Sequence, residues 1–209
     1  VLSTVGTGLG WQYPLTSPSP EVREKGIEVT ERALQIAQWL GTHTVLTVPG
    51  IASPEVPYDV ALENALACVQ KMVPVAENLR VGIGVENVWN KFLLSPLEMR
   101  RFLDEIGSEY VGAYFDVGNI IYIGYPEQWI EILGSRIKKL HLKDFKINVG
   151  TGQGFVDLLE GDVDYKAVMA ACRKVCFDDF CVAEVRPFRQ GPTHKRYILP
   201  FITSDAAED

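Results

Sequence analysis

Short apolar runs with the make-up of buried parallel strands alternate with helix-patterned segments along the whole chain. That alternation points to a parallel α/β architecture, because parallel strands need a long crossover and a helix supplies it. The run at 111–119, VGAYFDVGN, sets the pattern. Apolar and aromatic residues give way to Asp116 and then Gly118, which reads as a strand buried on both faces that ends in a tight turn. A carboxylate at such a place is costly unless it is paired or holds a cation. Three more runs end in the same way. Residues 81–87 (VGIGVEN) deliver Glu86, residues 137–144 (IKKLHLKD) deliver His141, and residues 180–186 (FCVAEVR) deliver Glu184.

In chain order, residues 1–5 read as a strand and residues 6–20, rich in Gly, Pro, Ser and Thr, as a long loop carrying Trp11 and Tyr13. Residues 21–40 are apolar at helical spacing, with Gly41 as the stop. A β-branched strand at 44–48 follows, then a second helix at 59–79 that Pro74 is expected to kink. After the Glu86 strand, Ser95-Pro96-Leu97-Glu98 is a helix start with a capping box, and that helix stops at Gly107. Residues 126–133 form a short helix, 137–142 a strand, and 145–161 a glycine-rich loop. Residues 164–175 form a helix capped by Asp162 or Asp164, and 180–185 the last strand. Residues 196–202 have helical character that Pro200 weakens. A closed barrel and an open doubly wound sheet both fit six strands in alternation with helices. Four ligand-type residues converging from four strands favour the barrel, which aims its strand ends at one axis.

A chain of 209 residues suffices for one core. The net charge of −7 argues against nucleic acid or a membrane surface as partner. No apolar run is long enough for a transmembrane helix, and no signal-peptide pattern opens the chain, so a cytoplasmic protein is expected. Cys68, Cys172, Cys176 and Cys181 contain no C-x-x-C pair and read as reduced core thiols, with a zinc site as the alternative.

ENVWN at 86–90, FDVGN at 115–119, HLKDF at 141–145 and AEVRP at 183–187 together resemble the motifs of the xylose-isomerase-like TIM-barrel family. Within it the likeness is to the sugar-phosphate isomerase/epimerase branch, with its ketose 3-epimerases and hexulose-6-phosphate isomerases. The resemblance implies an α/β fold, a parallel (β/α) TIM-type barrel in one domain over 1–209, lacking the first two strand–helix units. It implies that Glu86, Asp116, His141 and Glu184 bind one divalent metal, and that Glu86 and Glu184 form an acid/base pair. The sequence departs from the sugar 3-epimerases at Asn119, where they often have His, and at Phe92 and Ile147, near their polar substrate contacts.

Three carboxylates and one imidazole make a hard site suited to Mn²⁺, with Mg²⁺ or Co²⁺ as alternatives. Such an ion polarises a ketose carbonyl, so that a carboxylate can remove the neighbouring proton. The expected function is therefore isomerisation or epimerisation of a ketose or ketose phosphate through an enediolate. An inosose-type dehydratase and a non-catalytic sugar-binding barrel remnant are the alternatives; a multi-metal phosphodiesterase is disfavoured by only three histidines. Asn87, Trp89, Asn119, Lys143 and Arg186 are candidate substrate contacts. Asp144 and Arg189 are further ones, and Lys143, Asp144, Arg186 and Arg189 are all equally readable as rim ion pairs. By analogy with similar barrels, self-association is expected.

Overall fold

The computed structural model describes residues 2–185. Within them, five parallel strands curl into a half-barrel in the order β1 (Thr44–Thr47), β2 (Gly82–Glu86), β3 (Val111–Asp116), β4 (Ile137–Leu142) and β7 (Cys181–Ala183). Two further short strands, β5 (Asp144–Phe145) and β6 (Phe155–Val156), form an antiparallel hairpin beyond β4. The helices are α1 (Leu9–Gln12), α2 (Pro20–Leu40), α3 (Tyr58–Leu79), α4 (Pro96–Ile106), α5 (Pro126–Leu133) and α6 (Tyr165–Lys174).

Every residue of β2 and β3 is buried, as expected of central parallel strands covered on both faces. Ile83, Val85, Ala113, Phe115 and Leu140 belong to one apolar core with Met99 and Phe102 of α4 and Trp129 and Leu133 of α5. Phe115 stacks on Trp129 with ring centres 5.7 Å apart. Alternate residues point to opposite faces of a strand. The outward set therefore builds the core under the helices, while Glu86, Tyr114, Asp116 and His141 face the barrel interior.

Local signals place the helices. Ser19 caps α2 by accepting from the Val22 N–H, and Gly41 ends it at φ 69°. The Ser95 hydroxyl accepts from the Glu98 N–H, and Glu98 Oε2 in turn accepts from the Leu94 N–H. Asp164 caps α6 through the Ala167 N–H, whereas Asp162 accepts from the Ile147 N–H.

The architecture differs from the sequence expectations in five places. The strand expected at 1–5 is a single parallel bridge, Val5 to Val45. The 6–20 loop contains the short α1, and the 145–161 loop contains the β5–β6 turn of sheet. The last strand stops at Ala183, so Glu184 lies just past its end, held by an N–H bond to the Leu142 carbonyl (3.0 Å). Cys68 and Cys172 are core thiols, but Cys176 and Cys181 are exposed. The helix expected at 196–202 and the candidate contacts Arg186 and Arg189 lie outside the described residues. Among the described residues, no helix is long and apolar enough to cross a membrane.

Candidate metal centre

The register of the sheet assembles the site. Asp116, the last residue of β3, pairs with His141 of β4, and Glu86 ends β2 on the other side of β3. Glu184 follows β7, the neighbour of β4. One ligand-type atom from each of Glu86, Asp116, His141 and Glu184 lies within 4.8 Å of all the others. His141 Nδ1 is the hub: it lies 2.7 Å from Glu86 Oε1, 3.5 Å from Glu184 Oε2 and 3.8 Å from Asp116 Oδ2.

Asp116 is oriented by its neighbours' amides. The Asp116 N–H donates to Asn87 Oδ1 (2.9 Å), and Asn87 Nδ2 donates to the Asp116 carbonyl (2.8 Å). Asp116 Oδ1 accepts from the Asn119 N–H (2.8 Å), and Asn119 Nδ2 donates to the Asn87 carbonyl (3.0 Å). Both asparagines are buried, and these bonds tie the end of β2 to the end of β3. Gly118 sits in the same turn against the Lys143 carbonyl, where any side chain would clash with backbone.

With Oδ1 so occupied, Asp116 Oδ2 is buried and has no hydrogen-bond partner among the described residues. Burial raises the Asp116 carboxyl to about 7, against the opposing pull of the Lys143 and His141 charges. Burial opposes the charged form of His141, but the Glu86 hydrogen bond and the surrounding carboxylates outweigh it and raise its pKa. For Glu184, burial acts upward, yet the Lys143 charge and hydrogen bond prevail and hold the carboxyl below its ordinary value.

The donor set fits a divalent cation. Ligands about 2.0–2.6 Å from one ion lie within about 5 Å of each other, as these four do. A buried carboxylate oxygen that faces the same cluster and lacks a hydrogen-bond partner is what a bound cation would satisfy.

The other candidate residues divide. Lys143 reaches the cluster, 2.8 Å from Glu184 Oε2 and 3.6 Å from Asp116 Oδ2. Trp89 donates its indole N–H to the Asn119 carbonyl (2.8 Å) and is partly exposed. Its ring packs against Phe145 and Phe155, each with centres 5.2 Å away, and against Tyr122, forming an aromatic wall beside the cluster. Asn87 and Asn119 have their amides on backbone groups. Asp144 is fully buried and accepts from the N–H groups of Phe145, Leu159, Gly161 and Val163, so it anchors the following loop rather than a rim ion pair. Sequence reasoning missed that role and the wall built by Tyr122, Phe145 and Phe155. The FxxxxxxxxxF spacing of the two phenylalanines across a glycine-rich stretch was the available signal for the wall.

The profile of the family described as "Xylose isomerase-like TIM barrel" matches residues 1–198. An uncharacterized protein of Methanocaldococcus jannaschii is 24% identical over 195 residues, covering 89% of this chain and 65% of its own length. A Haemophilus influenzae protein provisionally named L-ribulose-5-phosphate 3-epimerase SgbU is 24% identical over 172 residues, covering 78% of this chain and 59% of its own length. The chain thus spans less than two thirds of either relative. The solved structure of an L-ribulose 3-epimerase superposes with a TM-score of 0.74 at 19% identity, covering 87% of this chain and 61% of that one. A D-tagatose 3-epimerase-like protein gives 0.77 at 22% identity, covering 86% and 68%. The IOLI protein, solved with a bound zinc atom, gives 0.73 at 16% identity, covering 88% and 66%. With a profile match over nearly the whole sequence, the chain belongs to the xylose isomerase-like TIM-barrel family.

Proposed function

We propose that this chain is a divalent-metal-dependent isomerase or 3-epimerase that acts on a ketose or ketose phosphate by proton transfer through an enediolate. The observation that carries the reading is the convergence of Glu86, Asp116, His141 and Glu184 within 4.8 Å. The names of the similar proteins, ketose 3-epimerases with and without a phosphate on the sugar, support the substrate class.

In this reading the four residues hold the ion, with Mn²⁺ favoured for a hard, oxygen-rich set and Mg²⁺ or Co²⁺ as alternatives. When bound, the ion polarises the substrate carbonyl and offsets the charge of three carboxylates. Asp116 is held for ligation by Asn87 and Asn119. His141 serves as a neutral imidazole through Nδ1, so the proton between it and Glu86 leaves on loading. Glu86 and Glu184 are the acid/base pair. They arrive from β2 and β7, which β3 and β4 separate, and so reach the centre from different directions. A substrate carbon between them has a carboxylate on each side: one takes the proton and the other returns one to the opposite face. Trp89 offers an apolar surface to the sugar, and Lys143 and Arg186 offer cations to its oxygens.

The test is a panel of ketoses and ketose phosphates incubated with Mn²⁺-loaded protein in deuterated water. Deuterium is expected to enter at the carbon beside the carbonyl of at least one panel member, with an epimer or aldose as product. A chain that binds Mn²⁺ yet exchanges no proton on any of them would contradict the reading.

A further inference from the structure

We propose that Lys143 is an internal rival of the metal ion, its ammonium group lying against the same carboxylate oxygens that the ion would use and thereby weakening divalent-cation binding. The inference rests on the metal reading above.

Lys143 Nζ lies 2.8 Å from Glu184 Oε2 and 3.6 Å from Asp116 Oδ2. Those are the two oxygens that also face His141 Nδ1, at 3.5 Å and 3.8 Å. The Lys143 side chain is only 16% exposed, so its charge is directed into the cluster rather than into solvent. Its ammonium also rests over the Phe155 ring, 4.6 Å from the centre. Two residues apart along an extended segment, His141 and Lys143 share a face. The run that presents the imidazole therefore also brings the ammonium to the cluster.

Charge arithmetic gives the consequence. Glu86, Asp116 and Glu184 carry three negative charges when ionised, and Lys143 cancels one of them. A divalent ion entering the cluster must separate Glu184 from Lys143 or accept a positive neighbour a few ångströms away. Either outcome opposes loading, because buried charges at such distances interact strongly. In return, in the metal-free protein Lys143 gives Glu184 and Asp116 a positive partner, as His141 partners Glu86.

The experiment is calorimetric Mn²⁺ titration of the wild type, Lys143→Met and Lys143→Arg, with melting curves of each metal-free protein. Lys143→Met is expected to bind Mn²⁺ about tenfold more tightly or better, and to melt at a lower temperature than wild type without metal. Lys143→Arg, which keeps the charge, is expected to stay near wild-type affinity. If the wild type binds Mn²⁺ and Lys143→Met binds it equally or more weakly, Lys143 is a positioning residue for Glu184 and the rivalry is overturned. If neither the wild type nor Lys143→Met binds Mn²⁺, the rivalry falls together with the metal reading. Should Lys143→Met fail to fold without metal, Lys143→Gln carries the same comparison.

Discussion

Glu184→Gln is expected to slow deuterium exchange from one of two ketose epimers by about 10²–10⁴-fold at saturating Mn²⁺. The amide keeps the size of the side chain and one oxygen able to face a metal, but it has no basic oxygen to take a proton. The asymmetry is the informative part. Glu86 ends β2 and Glu184 follows β7, which are not neighbours in the sheet, and in the proposed reading each serves one face of the substrate carbon. With two bases, Glu184→Gln loses exchange from the epimer whose proton it removes and retains exchange from the other through Glu86. Glu86→Gln shows the reverse pattern. Loss of exchange from both epimers in one variant, with none lost in the other, would mean a single proton shuttle and an aldose–ketose isomerase. The readout is proton NMR of each purified epimer in deuterated water.

Asp144→Ala is expected to destabilise the protein by about 3–5 kcal/mol. The carboxylate is fully buried and accepts from four backbone N–H groups at 2.9–3.1 Å, and each buried donor left without a partner costs about 1–3 kcal/mol. The total stays below the sum because the loop can open and hydrate before the whole penalty falls on the fold. Gly161 belongs to the same cradle: a side chain there would run into the Asp144 carboxylate. For a chain of this size the loss corresponds to a melting midpoint lower by about 6–20 °C. Limited proteolysis within 146–162 checks whether the damage is local. An unchanged midpoint together with unchanged protease resistance would show that the four bonds contribute little.

β2 and β3 were legible because each is a short, fully buried run with one carboxylate at its end, whereas β4 is only partly buried and β7 is largely exposed. Burial of β2 and β3 on both faces leaves such a residue few roles other than pairing or ligation. The segment at 145–161 was not legible. Its hairpin is two residues on each side, too short for periodicity, and it is fixed by a side chain that bonds backbone groups as far as Val163. Asn87 and Asn119 stand beside the ligand positions and so read as substrate contacts. The sequence does not tell whether an amide faces a ligand or, as here, the backbone of the adjacent strand end. Glu184 was placed one residue inside a strand that ends before it, a boundary that local composition does not mark.

The melting midpoint of wild type and Asp116→Asn against rising Mn²⁺ tests the central claim most directly. An ion that binds only the folded chain adds about 2.7 kcal/mol at a hundredfold excess over Kd, or a rise of about 5–10 °C in a chain of this size. Asp116 supplies the one buried oxygen in the cluster without a hydrogen-bond partner, so its amide variant should lose most of that rise. The account predicts a rise in the wild type and a nearly flat response in Asp116→Asn. A flat wild type, or equal rises in both proteins, would contradict it.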